Sequence, residues 1–167
     1  MKILWNPWRY EYIKQFSSKT TKTAEECLLC KLQKMPEDYA LIVHKGQCAF
    51  VVLNAYPYNT GHLMIAPYLH VADITELDES TVLEIMSLLK KCIRVLRATF
   101  NPDGFNIGAN IGRAAGAGIP DHFHLHVVPR WVGDSNFMVV IANTKPLPMG
   151  LREAYEAIRK QWLDEAE

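Results

Sequence analysis

The ten residues from Asp121 to Arg130, Asp-His-Phe-His-Leu-His-Val-Val-Pro-Arg, constrain this chain more than any other stretch. Side chains on an extended strand point to alternate faces. His122, His124 and His126 therefore share one side, and Phe123, Leu125 and Val127 share the other. The apolar side has to lie on a core, which leaves half of the chain's six histidines in a row on the opposite side. An ordinary half-buried strand would carry Thr, Lys or Glu there, because histidine has no special preference for strands. A row of imidazoles instead suits a metal site, a nucleophile with acid and base helpers, or a pH-sensitive patch.

The remainder of the chain reads as a sheet and helices around that strand. A Thr23 to Glu26 spacing fits a capping box, so a short helix is expected from Thr23 to about Met35, with Cys27 and Cys30 on one face. Strands are expected from Ala40 to His44, Cys48 to Asn54 and His62 to Pro67 in antiparallel order, the first two joined by a Lys45-Gly46-Gln47 turn. From Asp78 to Phe100 the apolar period changes to that of a helix, with Val82, Ile85, Met86, Leu89, Ile93 and Leu96 as its stripe and Thr81 with Glu84 as a capping box. A strand is expected over Gly104 to Asn110 and another over Phe137 to Ala142, and a terminal helix from Leu151 to Leu163. The 167 residues, 49% apolar and 22% charged, are enough for one α+β domain with a sizeable core. It comprises an aromatic arm at residues 1–23, a core at 24–145 and a C-terminal helical part at 146–167.

Charge and composition narrow the partners. The 18 basic and 18 acidic residues cancel, so no general field draws the chain to nucleic acid or to an anionic membrane. The arm, with Trp5, Trp8, Tyr10 and Tyr12, has no apolar run of signal-peptide length. No later run approaches a membrane span, so a cytoplasmic location is expected. The arm reads as an extension packed on the core rather than as a substrate contact. Of the four cysteines, Cys48 and Cys92 read as small core residues, whereas the Cys27-x-x-Cys30 pair fits a metal better than a disulfide.

Gly112-Arg113-Ala114-Ala115-Gly116-Ala117-Gly118 runs directly into the histidine strand. Small residues let backbone N–H groups approach an anion, and Arg113 can add a charge-assisted hydrogen bond. No helix follows the loop, and it lacks the Lys-Ser/Thr of a P-loop, so neither nucleotide fingerprint applies. A neutral imidazole is a good nucleophile toward phosphorus. It needs a histidine or carbonyl to orient it, donors for the developing charge and a proton for the departing group. No cluster of carboxylates of the kind that binds magnesium accompanies these residues.

The stretch His122-Phe-His124-Leu-His126-Val-Val matches the His-φ-His-φ-His-φ-φ motif of the histidine-triad (HIT) superfamily of nucleotidyl hydrolases and transferases at every position. Asn54-Ala-Tyr-Pro-Tyr-Asn-Thr-Gly61-His62, Leu69-His70-Val71 with Leu77, and Asn106 to Gly116 resemble other segments of that family, so the likeness spans residues 24 to 145. The continuation from Val128 to Met138 resembles the branch that includes diadenosine tetraphosphate phosphorylases. The resemblance implies a small α+β fold with an antiparallel five-stranded sheet, a long helix and a C-terminal helix, paired as a homodimer. It implies that His124 attacks the α-phosphorus of a nucleotide and carries the nucleoside monophosphate, that His126 bonds a phosphate oxygen, that His122 supports the site and that His62 orients the nucleophile or its neighbours. Asn54 would contact ribose, and Asn110, Arg113, Gly116, Ala117 and Gly118 would lie at the phosphates. Substrates would be diadenosine polyphosphates, cleaved by a phosphorylase or hydrolase.

Many members carry Gly-Gln-Ser/Thr before the triad. Here Gly116-Ala117-Gly118 stands in its place and Ile119-Pro120-Asp121 is one residue longer, which removes side-chain donors and leaves the leaving group and substrate size open. The resemblance also implies a structural zinc held by Cys27, Cys30, His70 and His122. Two other readings stay open: a nucleotide-sensing protein with little turnover, and a hydrolase in which all three triad histidines hold one catalytic metal.

Overall fold

A computed structural model describes residues 23–142 and 144–165. The aromatic arm, apart from Thr23, lies outside the described residues.

β1 (Ile42–Lys45), β2 (Ala49–Leu53), β3 (Leu63–Pro67), β4 (Gly104–Gly108) and β5 (Leu125–Arg130) form one antiparallel sheet in the order β1-β2-β3-β5-β4. All five residues of β2 and all five of β3 are buried. Both faces of the sheet are therefore covered, and the pleat divides the side chains between two cores. Val51, Leu53, Leu63, Ile65 and Val127 pack on the long helix and the C-terminal helix through Ile85, Leu88, Leu89, Cys92, Val95, Leu96, Tyr155, Ile158 and Trp162. On the other face Phe50, Val52, Met64 and Ala66 meet Cys27, Leu29, Cys30 and Ala40.

The short helix α1 (Leu28–Leu32) starts later than expected. The Thr23 carbonyl accepts from Glu26 N–H and Cys27 N–H in a turn, and Cys27 rather than Thr23 is the cap. After Pro36 the chain forms α2 (Glu37–Ala40), which takes up Ala40, the expected first residue of the strand that begins instead at Ile42.

α3 (Glu79–Phe100) is the expected long helix, but Asp78 caps it by accepting Thr81 N–H at 2.7 Å. The Thr81/Glu84 box does not form, because Glu84 instead accepts Gln47 N–H and Cys48 N–H, each at 2.6 Å. The buried stripe is Thr81, Ile85, Leu88, Leu89, Cys92, Val95 and Leu96, rotated from the expected one, and Met86 is 48% exposed. The expected strand at Phe137 to Ala142 is the helix α4 (Met138–Ile141). Among the described residues, the C-terminal part is helical over α5 (Leu151–Asp164), whose buried Ala154, Tyr155, Ile158 and Trp162 supply the face that packs on α3.

Candidate functional site

β5 begins at Leu125, so His126 lies within the strand, whereas His122 and His124 lie in the segment leading into it. The expected strand is too long at this end because β4 reaches only to Gly108, the register partner of His126. Phe123 N–H instead donates to Val71 O at 2.6 Å, which pins the lead-in to the segment after β3. The alternation survives this change. Phe123, Leu125 and Val127 join the α3 core, while Met64 pairs with His126 on the other face. His62 immediately precedes β3. Gly61 before it has φ +76°, and a Cβ there would meet the Phe100 ring at 2.9 Å, so only glycine fits this approach.

His62, His122 and His124 are buried, and burial sets the protonation of the cluster. Desolvation pushes His62 down to about 3 and His126 to about 4, each reinforced by its histidine neighbours. Desolvation also lowers His124, against the opposing hydrogen bond to His122 O. At neutral pH these three rings are uncharged, and each has one N–H and one lone pair.

The contacts then fix which nitrogen carries the proton. Tyr58 N–H donates to His62 Nδ1 at 3.0 Å, so the His62 proton is on Nε2. His62 Nε2 lies 2.9 Å from His126 Nδ1 and donates to it, which leaves the His126 proton on Nε2. His124 Nδ1 lies 2.8 Å from His122 O, and a carbonyl can only accept. His124 therefore has its lone pair on Nε2. The His124 and His126 rings stand edge to face with centroids 4.8 Å apart. One ring thus offers a nucleophilic nitrogen beside another that offers a proton, and none of the three is an imidazolium.

His122 turns its ring elsewhere. Its Nε2 donates to Pro67 O at 2.9 Å, and its Nδ1 lies 3.4 Å from both Cys27 Sγ and Cys30 Sγ and 3.3 Å from His70 Nδ1. Cys30 Sγ is also 3.4 Å from His70 Nδ1, and the four ligand atoms lie within 4.8 Å of one another. Tetrahedral zinc bonds of about 2.3 Å to sulfur and about 2.0 Å to nitrogen put N and S about 3.6 Å apart and two nitrogens about 3.3 Å apart. The cluster fits such an ion, and the Pro67 carbonyl fixes the tautomer a ligand needs. Burial and the adjacent Cys27 push the Cys30 thiol up to about 11, so a cation is what would hold these sulfurs as thiolates. Both His122 ring nitrogens are engaged away from His124 and His126. The reading in which the three histidines hold one metal is therefore corrected: His122 serves the triad through its carbonyl and the metal cluster through its ring.

Other residues singled out in the sequence are distributed around this core. Asn54 Oδ1 accepts Tyr56 N–H at 2.9 Å, and its Nδ2 lies 3.4 Å from His62 Nδ1, so it sits beside His62. Asn110 lies two residues beyond Gly108 and is half-buried. Arg113 opens a single turn, Arg113–Ala115, closed by Gly116 at φ +82°, and is exposed. Gly116, Ala117 and Gly118 are half-buried in the loop between β4 and β5. Tyr58 and Pro67 had no signal in the sequence: each acts through a backbone group, which every residue type carries.

Comparison with known proteins agrees with this geometry. The description of the HIT domain matches residues 35–132. An AP-4-A phosphorylase of Mycobacterium tuberculosis is 35% identical over 162 residues, 95% of this chain and 83% of that protein. A Zn-bound histidine triad family protein from Mycobacterium smegmatis superposes with a TM-score of 0.69 at 27% identity, over 87% of this chain and 100% of that one. The Plasmodium falciparum diadenosine triphosphate hydrolase shares the fold with a TM-score of 0.62 at 17% identity, over 94% of this chain and 97% of that one.

Proposed function

The chain belongs to the HIT domain family, and from that premise we propose that it is a nucleotidyl-transfer enzyme that splits diadenosine tetraphosphate with inorganic phosphate. The observation that carries this is the His124 tautomer: a buried neutral ring with Nδ1–H on the His122 carbonyl at 2.8 Å and a lone pair on Nε2. In the proposed first step His124 Nε2 forms a bond to the α-phosphorus, and the bond from that phosphorus to its bridging oxygen breaks. ATP departs, and AMP remains on the ring. His126 Nε2–H donates to a phosphate oxygen at the reacting centre, and the N–H groups at Ala117 and Gly118, with Arg113 and Asn110, meet the remaining phosphate charge, whereas Gly116 N–H closes the turn on Arg113 O at 3.0 Å and serves the loop's shape. Asn54 reaches the ribose with the amide hydrogen and lone pair that its loop contacts leave over. In the second step a phosphate oxygen attacks the same phosphorus, the P–N bond breaks, and ADP leaves with His124 returned to its starting state.

Phosphate is chosen over water as acceptor on the 35% likeness to an AP-4-A phosphorylase over most of both chains. Zinc on Cys27, Cys30, His70 and His122 would hold the segment before β5 to α1 without touching substrate. It has a closed set of four protein ligands, as structural zinc does. The outer edge of β4, where Asn106, Ile107 and Gly108 are exposed, is the edge through which a homodimer would pair. No helix among the described residues is long and apolar enough to cross a membrane, which is compatible with a cytoplasmic site of action.

Incubation of the protein with diadenosine tetraphosphate, with and without inorganic phosphate, tests the assignment. ADP beside ATP, formed only when phosphate is present, is expected. AMP beside ATP at the same rate in both mixtures would make water the acceptor, and absence of product in both would reject the proposal.

A further inference from the structure

Two donors face His62 Nδ1, Asn54 Nδ2 at 3.4 Å and, closer, the N–H of Tyr58 at 3.0 Å, and this N–H sits in the irregular segment between β2 and β3. We propose that Lys145 is a positioning residue that holds this N–H on His62 and so sets the tautomers of His62 and His126. The inference rests on the reading of His124 and His126 as the reacting pair and extends it to a residue in the segment before the C-terminal helix.

Three contacts support it. Lys145 Nζ donates to Tyr58 O at 2.6 Å, across 87 positions of sequence. On the next residue, Asn59 Nδ2 donates to Pro129 O at 3.0 Å and to Asp134 Oδ2 at 2.8 Å, and Asn59 is 4% exposed. Asp134 is itself held by Arg130 Nε at 2.6 Å, Arg130 Nη2 at 2.9 Å and Trp131 N–H at 3.2 Å. Pro57 on the other side has its φ set by its ring. Tyr58 is thus gripped at its carbonyl and followed by a clamped residue. Of these grips, Lys145 alone acts on the carbonyl of Tyr58 itself. The Tyr58 ring, centroid 4.6 Å from His62 and 5.7 Å from His126, covers the same pair of histidines.

Loss of the ammonium releases the Tyr58–Asn59 peptide unit; the Tyr58 Cα, which this unit shares with the Pro57–Tyr58 unit, is then free to shift and carries the Tyr58 N–H off His62 Nδ1. With only the long Asn54 Nδ2 contact left at Nδ1, His62 can move its proton there in part of the molecules, which turns a lone pair toward His126 Nδ1. His126 must answer by donating from Nδ1, and a lone pair then faces the phosphate where a proton is required. The substrate still meets its phosphate loop, so the loss falls on turnover rather than on binding.

Ring-nitrogen NMR on protein labelled with 15N-histidine reads this directly. In the wild type at neutral pH, His62 and His126 are each expected to be protonated at Nε2. Lys145→Met, or Lys145→Gln should the first fold poorly, is expected to mix the two tautomers at both rings. Its kcat should be about tenfold lower, with KM changed by less than about twofold. Lys145→Arg should restore both. Arg94→Met, which removes a surface cation paired with Glu165, should leave tautomers and turnover as they are. Wild-type tautomers in Lys145→Met would overturn the proposal, as would a rise in KM alone, which would make Lys145 a substrate contact. Should the wild type form no adduct on His124, the nucleotidyl-transfer reading fails while the ring-nitrogen result still decides the role of Lys145.

Discussion

At the scale of single residues, the site depends on keeping three imidazoles uncharged. An isolated histidine titrates near 6.5, but His62 in the fold titrates at about 3, chiefly because burial denies its cation water. The unfolded chain therefore binds a proton on this residue at pH values where the folded chain does not. This contribution to stability is complete above about pH 6.5 and is lost as the pH falls toward 3. Urea midpoints measured for the wild type and for His62→Gln between about pH 7 and pH 4.5 isolate the effect. The wild type should lose on the order of 2–3 kcal/mol more than the variant over that range; parallel slopes would mean that His62 is hydrated in the fold. Alternation in the sequence drew out the three histidines of the triad, and His62 was singled out only by the likeness of the Asn54 to His62 segment to the family. What their rings bond to was not legible. His124 is oriented by a carbonyl, His62 by an amide N–H, and such groups leave no mark on residue type.

At the scale of elements, the period of each pattern located the strands and helices, and local competition moved their ends. Glu84 shows how. Its spacing from Thr81 suited a capping box, yet its carboxylate accepts two N–H groups of the β1–β2 turn, at 2.6 Å each, and Asp78 takes the cap. A Cβ at Gly46 would press on this carboxylate and, less avoidably, on the backbone oxygen of Ala49 at 2.9 Å. Charge-assisted bonds of this kind contribute about 1.5–3 kcal/mol each. Glu84→Ala should therefore lower the unfolding free energy by about 2 kcal/mol or more, because two turn amides lose their partner. A change under about 0.5 kcal/mol in a denaturant titration would show that water replaces the carboxylate without loss. The helix α4, expected as a strand, had an apolar run too short for its period to decide between the two.

At the scale of the whole molecule, His122 joins two structures that the sequence presents separately: the Cys27/Cys30 helix and the strand that carries the triad. Its ring lies among the Cys27, Cys30 and His70 ligand atoms that could hold a metal ion, and its carbonyl accepts from His124. The family likeness allowed this set of four to be expected, but the division of labour within one residue needed the coordinates. Chelation of the proposed zinc should consequently lower the thermal midpoint and loosen α1 from the sheet, and Cys30→Ser should bind less than stoichiometric zinc by metal analysis. An unchanged midpoint after full removal of the ion would contradict a structural role. The proposed reaction turns on whether His124 Nε2 takes the nucleotide covalently. Quenching a turnover mixture in denaturant at alkaline pH, where a P–N bond to imidazole survives, and keeping that pH through digestion and peptide mass spectrometry, shows whether it does. Added AMP is expected on the peptide containing His124 and absent in His124→Ala, which should fold normally. Product accumulating in the wild type with no adduct on that residue would contradict it.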